Sequence, residues 1–363
     1  MVKQITKYLI IALILSLGFG QLLRFELFSV PIYLHDVFVV LALALLVPNF
    51  VMKYKVRNFV SPIWLMLFLF ALAISSLRAL TIYPLSSLLI PSLYMLRLLV
   101  YLLLFFVIRQ SKVQLPLKYF YISALVSLCI GLLQYFLMPD MRWAQYLGWD
   151  DHLSRLTLPH FDPTFTAVMF GLALLTIQLK SWYVTFLLSL SILLTYSRSV
   201  WLSLVVTAML FIKNKKVLLL SSILVLVSIY MLPQKFGEGT NLLRTYSISS
   251  RFSTDIAYIQ KYKWDFLIGR GMNTLILDLN CDNPACAGRH ATGPNNSYLY
   301  VLSTTGILGL VGWGVFMFTL YKKSIYKPML VFFFVSSIFN NVMFYPFALL
   351  WVLITEAMAP TST

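Results

Sequence analysis

Arginine is the residue type in this chain best suited to chemistry, and its placement is uneven. Arg155, Arg198, Arg244, Arg251, Arg270 and Arg289 fall in or beside polar segments, whereas Arg97 stands alone in the apolar run Tyr94-Met95-Leu96-Arg97-Leu98. A guanidinium presents a planar fork that matches two phosphate oxygens. Several of them converging above an apolar cavity would hold a lipid-linked diphosphate. An arginine at the depth of Arg97 must face protein or a wet cavity, and pairing with an acid such as Asp36 is its other reading. Arg198, in Thr195-Tyr196-Ser197-Arg198-Ser199, sits at a mouth between two apolar runs and is the strongest single candidate. Asp150, Asp151 and Asp162 share a segment with His152 and His160. Paired carboxylates suit acid–base work and a His/Asp set suits a metal. Their spacing follows no metal template, so a carboxylate orienting an arginine is the expectation and no metal site is expected. The chain has no Walker loop, no GxGxxG and no GxSxG elbow, so nucleotide-driven or serine-hydrolase chemistry has no motif behind it.

The elements that must position these residues are apolar spans. Of the 363 residues 60% are hydrophobic and 11% charged, with mean hydropathy +0.85, which rules out a soluble domain of this length. A helix crosses the hydrocarbon core with about 20 apolar residues. Twelve candidate spans follow: 8–23, 34–51, 61–78, 88–108, 119–138, 163–179, 181–195, 199–212, 217–232, 296–321, 328–339 and 341–357. The seventh, eighth and eleventh are short. With the N-terminus inside, the inner loops hold Lys53, Lys55, Arg57, Arg109, Lys112, Lys118, Lys180, Lys213, Lys215, Lys216, Lys322, Lys323 and Lys327. Every acid except Glu356 then falls outside. This positive-inside pattern supports an all-α polytopic membrane protein with both termini cytoplasmic, and it assigns the net charge of +16 to topology rather than to nucleic acid. The first span, followed by Phe-Gly-Gln-Leu-Leu-Arg-Phe-Glu, has no cleavage site of a signal peptide.

Three outer segments interrupt this single membrane domain of residues 1–363. They are 139–162, the short turn at 195–199, and a long loop at 233–295. Within the last, Ile248 to Leu267 carries Phe252, Ile256, Ile259 and Tyr262 or Lys263 at helical spacing, with Ser249 or Ser250 as N-cap and Gly269-Arg270-Gly271 as terminator. An amphipathic helix on the membrane surface or over the site is expected. Cys281 and Cys286, on the outer side, suit a disulfide, with free thiols or a metal shared with His290 as alternatives; Cys129 reads as a small apolar side chain. The outer aromatics Trp143, Tyr146, Trp149, Tyr246, Tyr258 and Trp264 could stack on sugars or anchor at the interface.

Four of these segments together resemble the O-antigen ligase and O-antigen polymerase (Wzy-type) superfamily of bacterial membrane glycan transferases. They are Gly148-Trp149-Asp150-Asp151-His152 with Arg155 and Phe161-Asp162-Pro163; Ser197-Arg198-Ser199-Val200-Trp201-Leu202; Arg251 with Gly269-Arg270-Gly271; and Pro294-Asn295-Asn296-Ser297-Tyr298-Leu299 with Gly306-Ile307-Leu308-Gly309. The resemblance covers residues 134–312. It implies transfer or polymerisation of polyprenyl-diphosphate-linked glycans onto an acceptor hydroxyl at the outer face of the cytoplasmic membrane, without nucleotide, metal or other cofactor. Its partners are the lipid-linked donor, a lipid- or glycan-linked acceptor and membrane lipids. In that reading Arg198 and Arg251 hold the diphosphate, with Arg155 and Arg97 assisting and Asp150 and Asp162 in support. The family places a histidine, its proposed base, where this chain has Asn295-Asn296. His290 is then the candidate base, or a solvated loop histidine, and Asn295 and Asn296 orient the acceptor. A transporter or flippase of lipid-linked oligosaccharides is the competing reading, and it calls for interrupted helices and internal repeats. An inactive scaffold is a third.

Overall fold

A computed structural model of the chain describes residues 2–27, 30–53, 62–111, 113–177, 182–216, 238–242, 245–278 and 293–359, with scattered positions between 219 and 232. Helices dominate: α1 (Val2–Leu17), α2 (Leu34–Lys53), α3 (Pro62–Ile82), α4 (Leu89–Ser111), α5 (Lys118–Leu137), α6 (Pro163–Ile177), α7 (Trp182–Leu194), α8 (Arg198–Phe211), α9 (Tyr246–Tyr262), α10 (Ser297–Lys323), α11 (Lys327–Phe339) and α12 (Pro346–Met358). Among the described residues four segments are long and apolar enough to cross a membrane: Ile63–Ile82, Leu85–Ser111, Lys118–Leu137 and Ser297–Lys323. The apolar helices α1, α2, α6, α7, α8, α11 and α12 are shorter. These helices fall on eleven of the twelve expected segments, and the ninth, 217–232, lies largely outside the described residues.

The expected all-α class needs one amendment. The first helix ends at Leu17 rather than 23, the chain turns through Gly18 to Gly20, and β1 (Arg24–Leu27) pairs antiparallel with β2 (Val30–Tyr33), Arg24 opposite Tyr33. Val30-Pro31-Ile32-Tyr33 favours extended backbone, since proline lacks the N–H a helix needs and β-branched and aromatic residues suit strands. This hairpin is short because its role is local: it lies beside α4 and forms part of a cavity wall.

The core is organised around helices with no polar face. Every residue of α12 from Phe347 to Met358 is buried, and most of α6 is too. A helix apolar all round belongs in the interior, and α12 packs against α4, α6 and α1. Its one charged residue, Glu356, is 2% exposed and accepts a 2.6 Å hydrogen bond from Ser324.

α10 packs along α3 and is broken at Gly306, whose φ of 73° and ψ of −176° interrupt the helical ladder. The backbone groups freed there are recaptured by residues 266–271. Arg270 N–H donates to Ser303 O (3.0 Å), Gly271 N–H to Thr304 O (2.9 Å), and Ile307 N–H to Phe266 O (2.8 Å). In a helix that crosses lipid, non-helical backbone is tolerated only where protein or water satisfies it; at Gly306 the protein supplies those partners. The approach admits no side chain. A Cβ on Gly269 would stand 2.3 Å from Thr304 O, and one on Gly306 would stand 2.5 Å from Leu267 O. The loop is latched to α3 by Asp265, which pairs with Arg78 and with Arg270 (3.1 Å), while Arg270 also meets Tyr83 (3.0 Å) and Asp278 (3.2 Å). Arg270 is therefore committed to structure. The glycine-flanked arginine and the glycine-rich start of the span, two motifs 37 residues apart, are the two halves of one joint.

α9 is the expected amphipathic helix, with three differences. It starts at Tyr246 after Thr245, so Ser249 and Ser250 lie within it; it ends at Tyr262, short of Leu267 and of the Gly269-Arg270-Gly271 expected to terminate it; and Tyr262 is fully buried rather than part of the apolar stripe. Phe252, Ile256 and Ile259 are exposed on one side, while Arg251, Asp255, Tyr258 and Tyr262 follow a second line at helical spacing.

Candidate active site

The hairpin, the first half of α4, the segment after Gly148, α9, the approach to α10 and the α11–α12 junction enclose a cavity of about 440 Å³. Its wall carries Arg24, Arg97 and Arg251, the carboxylates Asp150 and Asp162, Asn295, Asn340 and Asn341, and an aromatic set including Tyr33, Tyr94, Trp149, Tyr300, Phe344 and Tyr345. Polar groups focused in an otherwise apolar concavity are the usual make-up of a ligand site.

The three arginines of the wall differ in how their charge is met. Arg24 pairs with Glu26 at 2.5 Å and lies over the Trp149 ring. Arg97 pairs with Asp36 at 3.1 Å, also donates to Pro31 O, and lies 5.2 Å from the ring centres of both Tyr33 and Tyr94. Asp36 is held in turn by Tyr33 N–H (3.0 Å) and the Tyr101 hydroxyl, which reaches His35 Nε2 at 2.9 Å. Both sequence readings of Arg97 therefore hold together: it is ion-paired and it lines the cavity. Its Nη1 is buried and has no hydrogen-bond partner among the described residues. Arg251 is different, because its contacts are neutral. Nη1 donates to Phe339 O (3.0 Å) and to Asn340 Oδ1 (2.9 Å). Those two bonds use both Nη1 hydrogens and leave the Nε–Nη2 edge, the fork that matches two phosphate oxygens. Burial pulls the Arg251 guanidinium below the usual arginine range, and Asp162, Asp150 and Asp255 pull it back.

Arg198 opens α8 and donates to Leu242 O (2.9 Å), and the charge of Arg251 is felt at its side chain. Arg251 lines the cavity and Arg198 does not; what links the two is this charge effect and the hydrogen bonds of Asn340. Asn340, 7% exposed, is the hub between them: it accepts from Arg251, donates to Ser199 Oγ (3.2 Å) beside Arg198, and through its carbonyl accepts from Ser297 (3.0 Å) at the start of α10. Sequence reasoning passed over Asn340, as it did Arg24, Tyr33 and Tyr345. A polar Asn340-Asn341 pair between two apolar runs was the available signal.

Other expected site residues stand elsewhere. Arg155 is 6% exposed, does not line the cavity, and donates from Nε to Thr195 O (2.9 Å). It clamps the turn that launches Arg198 instead of touching a diphosphate. Asn296 caps α10, its Oδ1 accepting from Tyr298 N–H (2.9 Å) and Leu299 N–H (3.2 Å), so its side chain is taken by the helix end. Asn295 does line the cavity. Asp162 lines it while capping α6 through Thr164 N–H (2.6 Å) and Phe165 N–H (2.9 Å). Of the outer aromatics named from sequence, Trp149 alone is on the wall. His290, Cys281, Cys286, Arg244 and Arg289 lie outside the described residues.

Ligand atoms of Asp150, His152 and Asp162 all lie within 4.8 Å of one another, a grouping that the sequence spacing concealed. These three could gather a hard cation. The same two carboxylates also act on Arg251, which gives them a task without one.

No protein-family model and no curated protein matches the chain. Fold and site together define a largely helical protein with four helices able to cross a membrane, and an arginine-lined, aromatic-walled cavity where the polar segments meet.

Proposed function

We propose that the protein transfers or polymerises polyprenyl-diphosphate-linked glycans onto an acceptor hydroxyl, working at the outer face of the cytoplasmic membrane. The observation that carries this reading is Arg251 on the wall of a cavity of about 440 Å³, its Nε–Nη2 edge without a hydrogen bond among the described residues. Arg198, off the wall but close enough for the two charges to act on each other, adds to a receptor for a polyanion. The wall gives that anion a place beside sugars: Arg97 Nη1 is a further open donor, and the aromatic faces suit stacking on glycan rings. The four-segment resemblance supports the same reaction.

The arrangement in the membrane belongs to the proposal. Twelve spans with both termini cytoplasmic put residues 139–162 and 233–295, and so the cavity, on the outer side. In this reading Arg198 and Arg251 grip the diphosphate and stabilise it as it leaves with the electron pair of the glycosidic bond. Asp150 and Asp162 keep Arg251 oriented, and Asn295 orients the acceptor.

Arg251→Ala and Arg198→Ala each abolish glycan transfer, with protein level and membrane insertion unchanged. Purified protein should release polyprenyl diphosphate from a lipid-linked donor, and normal surface glycan in either mutant refutes the assignment. One observation favours a second reading, a flippase for the same lipid: the break in α10 at Gly306 is the kind of interrupted helix transporters use. A flippase moves the donor and leaves its diphosphate bond intact, so the same assay separates the two.

A further inference from the structure

Arg24 is the arginine of the cavity wall that the proposed chemistry leaves without a task. It opens β1, and residues two apart on a strand point to the same side, which makes Glu26 its neighbour. The two meet at 2.5 Å between Nη2 and Oε1. Their burial is unequal: the Arg24 side chain is 9% exposed and that of Glu26 is 45% exposed. A carboxylate standing in solvent holds its partner weakly, because water screens the attraction and competes for its oxygens.

Arg97 shows the contrast on the same wall. Its partner Asp36 is 14% exposed and is itself gripped by Tyr33 N–H and the Tyr101 hydroxyl. That pair is settled. Arg24 has Glu26 as its one hydrogen-bond partner among the described residues, so most of its N–H donors carry no bond within the protein. What holds the guanidinium in place is a ring. It lies over Trp149, 5.7 Å from the ring centre, and Trp149 is held in turn by Phe161 stacked at 5.5 Å. A cation over an aromatic face is positioned without using any N–H. The fork is therefore placed on the cavity wall and only lightly engaged.

We propose that Arg24 binds the diphosphate of the lipid-linked donor, and that Glu26 is the carboxylate it releases when that anion arrives. The identity of the anion rests on the transferase reading above. While the cavity is empty, Glu26 spares the protein a buried cation with no counter-charge. A phosphate offers the same fork two oxygens and places its charge inside the cavity, where the attraction is screened less than at the exposed edge of the hairpin. Glu26 then returns to water at little cost. It is a built-in competitor, and its strength sets how readily the donor is admitted.

The test titrates inorganic pyrophosphate into the purified full chain by calorimetry, at fixed pH and ionic strength. Glu26→Gln should tighten binding about threefold, the scale of an exposed ion pair. Arg24→Met keeps the stem packed on Trp149 and should weaken binding about tenfold or more, and Arg24→Lys, which keeps the charge and loses the fork, should fall between. In the Arg24→Met background Glu26→Gln should change nothing, a coupling that a merely structural role would not produce. Glu26→Gln alters an exposed group, so its arm stands even where Arg24→Met folds poorly. Pyrophosphate that fails to bind the wild type, binds Arg24→Met equally well, or is not tightened by Glu26→Gln overturns the inference. Tightening by Glu26→Gln that persists in Arg24→Met also overturns it, as does glucuronate following this pattern where pyrophosphate does not. If the pattern holds but no polyprenyl diphosphate is released from a lipid-linked donor, the transferase reading falls and the anion site at Arg24 stands. If Arg24→Met and Glu26→Gln both release it at the wild-type rate at limiting donor, this inference falls alone.

Discussion

Asn340 joins three elements with one amide, and its neutrality matters. An aspartate there would place a carboxylate where the amide oxygen now accepts from Arg251 at 2.9 Å, and a charge-assisted bond would tie up the guanidinium. Asn340→Asp should therefore raise the donor KM by at least about tenfold, worth roughly 1.4 kcal/mol, while Asn340→Ala should loosen Arg251 and lower kcat more than it changes folding. Steady-state kinetics on purified variants separate the two. Asp36 is the opposite case, a charge that must stay. Removing one partner of a buried ion pair costs about 3–5 kcal/mol, whereas removing both is often neutral. Asp36→Asn should lower the melting temperature in detergent, and Asp36→Asn with Arg97→Met should recover most of it. His160 supplies a pH signature. Its folded value lies near 3 against an ordinary 6.5, so its contribution is complete above about 6.5 and is lost as pH falls from there toward 3. His160→Gln should flatten that part of the stability profile in thermal melts. Of these partnerships only Arg97 with Asp36 was anticipated from the sequence; the others join residues far apart in the chain with no pattern to link them, Arg251 with Asn340 and His160 with Tyr345 and Gln21. The residue types were visible, and Arg251, Asp162 and Asn295, which line the cavity, were singled out by type alone, as was Arg198, which stands off its wall. Asn296 and Arg155 were misread for the same reason, since a helix cap and a carbonyl clamp use the same donors and acceptors as a substrate site.

α9 divides its surface three ways. Arg251, Asp255, Tyr258 and Tyr262 face the protein. Phe252, Ile256 and Ile259 form an exposed apolar line, continued by Trp264, Leu267 and Ile268 beyond its end, and Ser253, Ala257 and Gln260 occupy a third exposed side. Apolar residues so arranged suit the interface of a bilayer, so the helix would rest on lipid while presenting Arg251 inward. Spin labels at 252, 256 and 259 should be accessible to oxygen and shielded from a water-soluble relaxant, and labels at 253 and 260 should show the reverse. Equal exposure of both sets to water would remove the lipid contact. The joint at Gly306 makes a sharper demand. Gly306→Ala puts a Cβ against the Leu267 carbonyl in a backbone conformation that L residues avoid, a strain of about 1–3 kcal/mol before any clash. It should reduce the yield of folded protein and leave residues 266–271 open to protease. The helices were readable because hydropathy is a local property of some twenty residues. The hairpin was not read, although Val30-Pro31-Ile32-Tyr33 favours extended backbone, because its four-residue strands sit between long apolar runs that dominate the hydropathy pattern.

At the scale of the whole molecule the polar chemistry is gathered at one end. The cavity, its carboxylates and the latch around Asp265 all come from segments that the charge pattern puts on the outer side, and lysines crowd the loops assigned to the other. A cytoplasmic reporter inserted after Asn214 should be active, and one inserted after Ala285 inactive; the reverse would undo the proposed arrangement. The break in α10 has a consequence for how such a molecule is made. The residues that complete Ser303, Thr304 and Ile307 belong to a stretch synthesised earlier, which in this arrangement is exported before α10 exists. That stretch waits outside, and α10 arrives carrying backbone groups nothing in lipid can satisfy. Docking one onto the other is then the closing act of biogenesis, and a chain halted before it would have its helices inserted and its reaction chamber still open.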